Sequence, residues 1–195
     1  MKTTTTGTNF QSVPLIIKHD WEPTIARMKK LIMLKDHAAV EPYGTADHYL
    51  MKSLGTLSDY WDSESWYRFS GLAINQTMPW INDLLKSMAC LEPDDGALSF
   101  LTGDGGGHID LPNAPSALNY IFYSTDPDAN TWFLSDTVNE CHPSTEGSAW
   151  IINTQTRHGI KNTGTRYSLS IHFKADYQTL KNWFADKTQQ DLTFG

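Results

Sequence analysis

Residues 166–173, RYSLSIHF, alternate strictly between polar and apolar, and this alternation constrains the chain more than any other stretch. Successive side chains of a strand point to opposite faces, so Arg166, Ser168, Ser170 and His172 share one face and Tyr167, Leu169, Ile171 and Phe173 the other. The apolar face needs cover. The polar face lacks the Lys, Glu and Thr that suit open water, and an Arg among small hydroxyls and a His reads as the lining of a cavity.

The same period of two runs through the second half of the chain. After the EPDDG turn at 92–96, strands are expected at 97–102, 108–110, 116–124, 131–135, 148–153, 157–161 and 166–173, jointed by Gly, Pro, Asn and Asp. Short, evenly spaced strands of this kind read as a β-sandwich or jelly roll. The first half has a different period. Residues 1–12 read as a loose polar arm and VPLII as a short strand. Asp20 and Pro23 open a helix carried by Ile25, Met28, Leu31, Ile32 and Leu34 to about His37. A second helical pattern covers 46–60, SWYRFSGLAIN at 65–75 alternates as a strand, and Pro79 starts a helix through Trp80, Ile81, Leu84, Leu85 and Met88. A closing helix is expected at 177–187. The fold class is therefore α+β, mainly β: one domain over 1–195, with a helical support region at 13–92 packed outside a β core at 97–173.

Composition narrows the function. A 39% hydrophobic and 12% aromatic content suits a folded core, and a formal charge of −7 with no dense Lys/Arg run disfavours nucleic acid as a partner. Cys90 and Cys141 show no metal-finger spacing and suit ordinary reduced thiols. The N-terminus lacks the apolar core of a signal peptide, and no apolar run approaches the ~20 residues of a membrane span. The expectation is an intracellular, cytoplasmic chain without membrane partners.

The chemistry centres on His108 and Asp110, an H-x-D pair whose side chains share a face in extended backbone. The pair follows GDGGG at 103–107, which lacks the Lys-Ser/Thr of a phosphate loop and reads as a tight bend leaving room beside His108. His158 lies in a later strand. Two imidazoles and a carboxylate occupy one face of an octahedral iron(II) ion and leave three positions open. Beyond them, Arg166 and Ser168 point the same way, a guanidinium and a hydroxyl suited to a carboxylate. His19, His37, His48 and His142 read as core histidines, and 136–146 reads as a solvated connection rather than a lid over substrate. His172, on the cavity face, is open between a structural and a site role.

In order and spacing, HID, GSAWIIN and RHGIKNTGTRYSLSIHF resemble the iron(II)- and 2-oxoglutarate-dependent oxygenases of the double-stranded β-helix fold, over roughly 97–173. The resemblance implies that His108, Asp110 and His158 are the catalytic metal ligands for Fe(II). It implies that Arg166, assisted by Ser168, binds the distal carboxylate of 2-oxoglutarate, and that dioxygen is the oxidant. SALNYIFYS resembles the prolyl-hydroxylase-like branch, in which a Tyr near the end of this strand also reaches that carboxylate. Tyr123 takes that place here, with Asn119 as a second candidate. The nucleic-acid dealkylating branch carries a second Arg six residues after the first, where this chain has His172; the halogenating branch lacks the carboxylate ligand, which Asp110 supplies here. Hydroxylation is the implied chemistry, with a peptidyl substrate preferred to a small metabolite. The competing reading is a non-enzymatic β-sandwich that binds a small ligand or a protein, its metal structural or absent.

Overall fold

The computed structural model describes residues 7–34, 41–42, 66–70, 78–94, 96–134 and 139–195. In chain order its elements are strands β1 (Phe10–Ser12) and β2 (Ile16–Ile17), helix α1 (Trp21–Leu34), β3 (Glu41–Pro42), β4 (Trp66–Ser70), α2 (Trp80–Ser87) and a 3-10 turn at Ala89–Leu91. Strands β5 (Ala97–Thr102), β6 (Gly105–His108), β7 (Ser116–Ser124), β8 (Asn130–Leu134), β9 (Asn139–Pro143), β10 (Ala149–Asn153), β11 (Arg157–Lys161) and β12 (Thr165–Phe173) follow, then α3 (Tyr177–Ala185) and β13 (Thr193–Phe194).

Strands β5 to β12 wind between two sheets. A larger sheet has the order β1-β10-β7-β12-β5-β4-β3 and a smaller one β6-β11-β8-β9. Four strands of the winding fall in each sheet, and pairing within them is antiparallel. This is a jelly roll, one of the two architectures the period-two pattern left open, and the winding is the double-stranded β-helix that the resemblance implies. The expected helix at 46–60 and the part of the expected strand beyond Ser70 lie outside the described residues.

The alternation of β12 decides the layering. Tyr167, Leu169, Ile171 and Phe173 belong to the main apolar cluster with Leu98, Leu118, Tyr120 and Phe122, and the helices cover that face through Met28, Ile81, Leu84, Leu180 and Phe184. Trp21 of α1 stacks on Phe122 with ring centroids 4.0 Å apart. The inner face of the winding holds a smaller cluster of Phe10, Ala117, Ile121, Phe133, Trp150 and Ile152. Helix α3 is capped by Asp176, whose carboxylate accepts from the Thr179 amide at 2.7 Å. Asp176→Ala should cost about 0.5–1 kcal/mol in urea unfolding at pH 7, the low end for an exposed cap. The Thr179 amide holds this carboxyl below its ordinary range. Its contribution is therefore complete above the unfolded carboxylate pKa and lost as pH falls through the lower folded value, so the two proteins should converge in acid.

Three expectations are corrected. The N-terminal arm is not loose where it is described: Phe10–Ser12 add to the edge of the larger sheet on β10. Phe10 is buried beside Phe133, and the Glu140 carboxylate accepts the amides of Thr8 and Asn9. The connection at 136–146 contains β9, paired with β8 in the register Trp132↔Cys141. NECHP has no apolar alternation to announce an edge strand, and its pairing is set by a partner remote from local pattern. Third, the strand expected at 108–110 ends at His108, and most of GDGGG is strand rather than bend, with the left-handed backbone confined to Gly103 (φ 74°).

The glycines serve Trp132. A Cβ on Gly107 would lie 2.2 Å from the indole, and one on Gly159 would lie 2.5 Å from the indole and 2.9 Å from the Gly105 carbonyl. Since β6 and β11 carry His108 and His158, Gly159→Ala is expected to displace Trp132 or part these two strands. The cost should be about 1–3 kcal/mol, the usual range for overpacking, read as a lowered unfolding midpoint with unchanged denaturant slope.

Candidate metal centre and anion pocket

One cavity of about 60 Å³ lies between the sheets, room for several waters or an ion with a small ligand. The larger sheet contributes Ala97, Ser99, Ala117, Asn119, Ile152, Arg166, Ser168, Ser170 and His172 to its wall, and His108, Asp110, Thr131, His158 and Ile160 face them. The face predicted from 166–173 is thus the wall of a cavity.

His108, Asp110 and His158 come together although His158 lies 50 positions after His108. His108 ends β6 and is the direct cross-strand partner of His158 on β11, while Asp110 follows the strand and is held by its amide donating to the Thr154 carbonyl at 3.1 Å. One ligand-type atom from each of the three lies within 4.8 Å of the others. Asp110 Oδ1 is 3.2 Å from His108 Nε2 and 3.9 Å from His158 Nε2. His158 Nδ1 lies 2.9 Å from the Thr156 carbonyl oxygen, to which Nδ1–H can donate, and that tautomer turns the Nε2 lone pair toward Asp110.

Electrostatics agree with a ligand role. Burial, followed by the charge of His108, pushes His158 down to about 4, so it is a neutral donor at pH 7. Burial pushes Asp110 up, but the imidazoles of His108, His172 and His158 outweigh it and hold the carboxyl well below its ordinary range. His172 is pushed down by burial and up by Asp110 and Asp94, and rises to about 9.

Arg166 is 3% exposed, and burial pushes its guanidinium down to about 9. Nη1 donates to Ser144 Oγ at 3.3 Å, Ser144 Oγ is 3.1 Å from Thr131 Oγ1, and Nε is buried without a hydrogen-bond partner. The guanidinium carbon sits 5.6 Å from the centroid of the Trp150 ring, which stacks in turn on His142. Asn119 and Ser168 line the same cavity as Arg166, and the Asn119 carboxamide oxygen accepts from Ser170 Oγ at 2.6 Å.

The structure does not bring Tyr123 to the cavity. Between β7 and β12 the register slips, Tyr167 pairing with Tyr123 but Ser168 with Ile121, so Phe122 is an extra residue that reverses the parity beyond it. Tyr123 therefore shares the outer face with Tyr167, ring centroids 5.7 Å apart. Sequence reasoning also missed Thr131, Ser144 and Trp150. Of these only Thr131, which shares parity with the apolar Phe133, carried a usable signal. Both cysteines are exposed free thiols. No helix among the described residues is long and apolar enough to cross a membrane.

No family model and no curated protein matches the chain. Solved structures do. An oxidoreductase of the 2OG-Fe(II) oxygenase family from Burkholderia pseudomallei is 9% identical over 83% of this chain and 96% of that one, with a TM-score of 0.43. A prolyl-4-hydroxylase from Pseudomonas putida is 13% identical over 75% and 97%, with a TM-score of 0.38. Hydroxypropylphosphonic acid epoxidase from S. wedmorenis is 9% identical at a TM-score of 0.32, and the match spans 40% of this chain and only 42% of the epoxidase. At 9% to 13% identity, the reading of the site is left to its own residues and distances.

Proposed function

We propose that the chain is an iron(II)- and 2-oxoglutarate-dependent oxygenase that hydroxylates its substrate with dioxygen. One oxygen atom becomes the new hydroxyl and the other enters succinate, with carbon dioxide released. The observation that carries this reading is that one cavity joins a two-histidine, one-carboxylate donor set to a buried guanidinium with no ion pair among the described residues. A buried unpaired cation is costly, and an anion bound beside it would offset that cost.

The donor chemistry fits a divalent metal of the iron type, with two imidazoles of which His158 is neutral, an ionised carboxylate and a His158 tautomer that can be set from behind by Thr156. Bound there, iron(II) would supply the redox chemistry that couples decarboxylation of 2-oxoglutarate to oxidation of the substrate. The protein's own residues position and shield. His108, Asp110 and His158 would hold the metal as a set of three donors, which leaves positions for co-substrate and dioxygen. Arg166 receives the distal carboxylate, Ser168 adds a hydroxyl, Asn119 lines the path between, and Trp150 backs the guanidinium and excludes water.

A peptidyl side chain is preferred to a small metabolite as substrate. The preference rests on the resemblance of SALNYIFYS at 116–124 to the prolyl-hydroxylase-like branch. Anaerobic protein mixed with iron(II) and 2-oxoglutarate should develop a broad, weak visible absorption that neither component produces alone. Its absence would replace this reading with a non-enzymatic ligand-binding sandwich.

A further inference from the structure

His172 occupies the cavity wall, yet neither metal ligation nor anion binding uses it. Its ring lies between two carboxylates, with Nε2 3.4 Å from Asp110 Oδ2 and Nδ1 3.4 Å from Asp94 Oδ2. Asp110 therefore divides its oxygens. Oδ1 is the atom near His108 and His158, and Oδ2 is turned to His172.

Asp94 is itself fixed. Its Oδ1 accepts the amides of Gly96 at 2.9 Å and His172 at 3.0 Å, and its own amide donates to the His172 carbonyl at 2.8 Å. The segment before β5 is thus laced to the end of β12, and Pro93 bridges to Phe173 beside it. A side chain anchored at both ends of such a chain has one orientation to offer.

We infer that His172, braced by Asp94, is a positioning residue that occupies Asp110 Oδ2, so that Asp110 meets the metal through Oδ1 alone and a coordination position stays open for exchangeable ligands. The inference rests on the metal reading above but not on the identity of the co-substrate. Without His172, Oδ2 is free to close on the metal, and a carboxylate bound through both oxygens takes one position more.

Manganese(II) alone is the probe, with coordinated waters counted on the full-length protein by electron paramagnetic resonance in 17O-enriched water. The wild type should hold about three waters, the positions that a facial set of three ligands leaves open. His172→Phe keeps a ring but no donor, and should hold one water fewer and bind manganese(II) about 10–100-fold more weakly. His172→Gln retains an N–H donor and should restore the count, while Asp94→Asn, which leaves His172 in place, should give an intermediate population. A merely structural role would lower stability without changing the count. An unchanged count in folded His172→Phe and Asp94→Asn overturns the inference alone, whereas failure of the wild type to bind manganese(II) overturns the metal reading and this inference with it.

Discussion

Replacing Asp110 or His158 by alanine is expected to abolish binding of iron(II) or manganese(II), as measured by anaerobic calorimetric titration. Each residue is one of three donors gathered within 4.8 Å, and removing one leaves two ligands that hold a labile divalent ion weakly. The loss should exceed the roughly 10–100-fold cost of changing an outer-shell partner. Folding should survive, because Asp110 lies past the end of β6 and the backbone pairing of His158 with His108 and Phe133 does not need its ring. Wild-type affinity in both folded variants would remove the metal centre from the account.

Arg166→Lys should raise the Michaelis constant for 2-oxoglutarate in uncoupled succinate formation tenfold or more, while leaving metal affinity within about twofold. An ammonium cannot present the paired N–H donors of a guanidinium, and a lost charge-assisted bond of about 1.5–3 kcal/mol corresponds to a factor of ten or more. Arg166→Met makes a complementary test. The guanidinium is buried, has an unpartnered Nε and is pushed down to about 9 by burial, so its charge burdens the ligand-free fold. The Met variant should unfold at the same or a higher temperature without ligand, yet lose the stabilisation that saturating 2-oxoglutarate gives the wild type, about 2.7 kcal/mol at a hundredfold excess over Kd. A Michaelis constant within twofold in the Lys variant, or full ligand stabilisation in the Met variant, would show that Arg166 is not the anchor.

Much of this arrangement was visible in the chain because it depends on local period. The alternation from Arg166 to Phe173 assigns each side chain to a face with no knowledge of its neighbours, and burial on one side and the cavity on the other follow. Tyr123, given its place by resemblance, does not reach the cavity, because the extra residue at Phe122 is a property of the pairing of β7 with β12 and not of either strand. The loose-arm reading failed over the described residues 7–12 for a related reason. One buried Phe10 and the acceptor pair on Glu140 suffice to dock this segment, and neither acts within its own neighbourhood in sequence.

The sequence by itself determined the two periodicities, hence a mainly β winding with helices on its outer face, and it marked His108, Asp110, His158 and Arg166 as residues of unusual chemistry. Only the tertiary structure decided which of them meet. Cross-strand register set His158 opposite His108, the fit of Trp132 against Gly107 and Gly159 brought the ligand-bearing strands under one indole, and the lacing of Asp94 to the end of β12 set His172 behind Asp110. Period is a short-range property, written wherever side chains must alternate. Register and burial of charge are long-range, settled by which of many compatible pairings leaves the fewest polar groups unsatisfied.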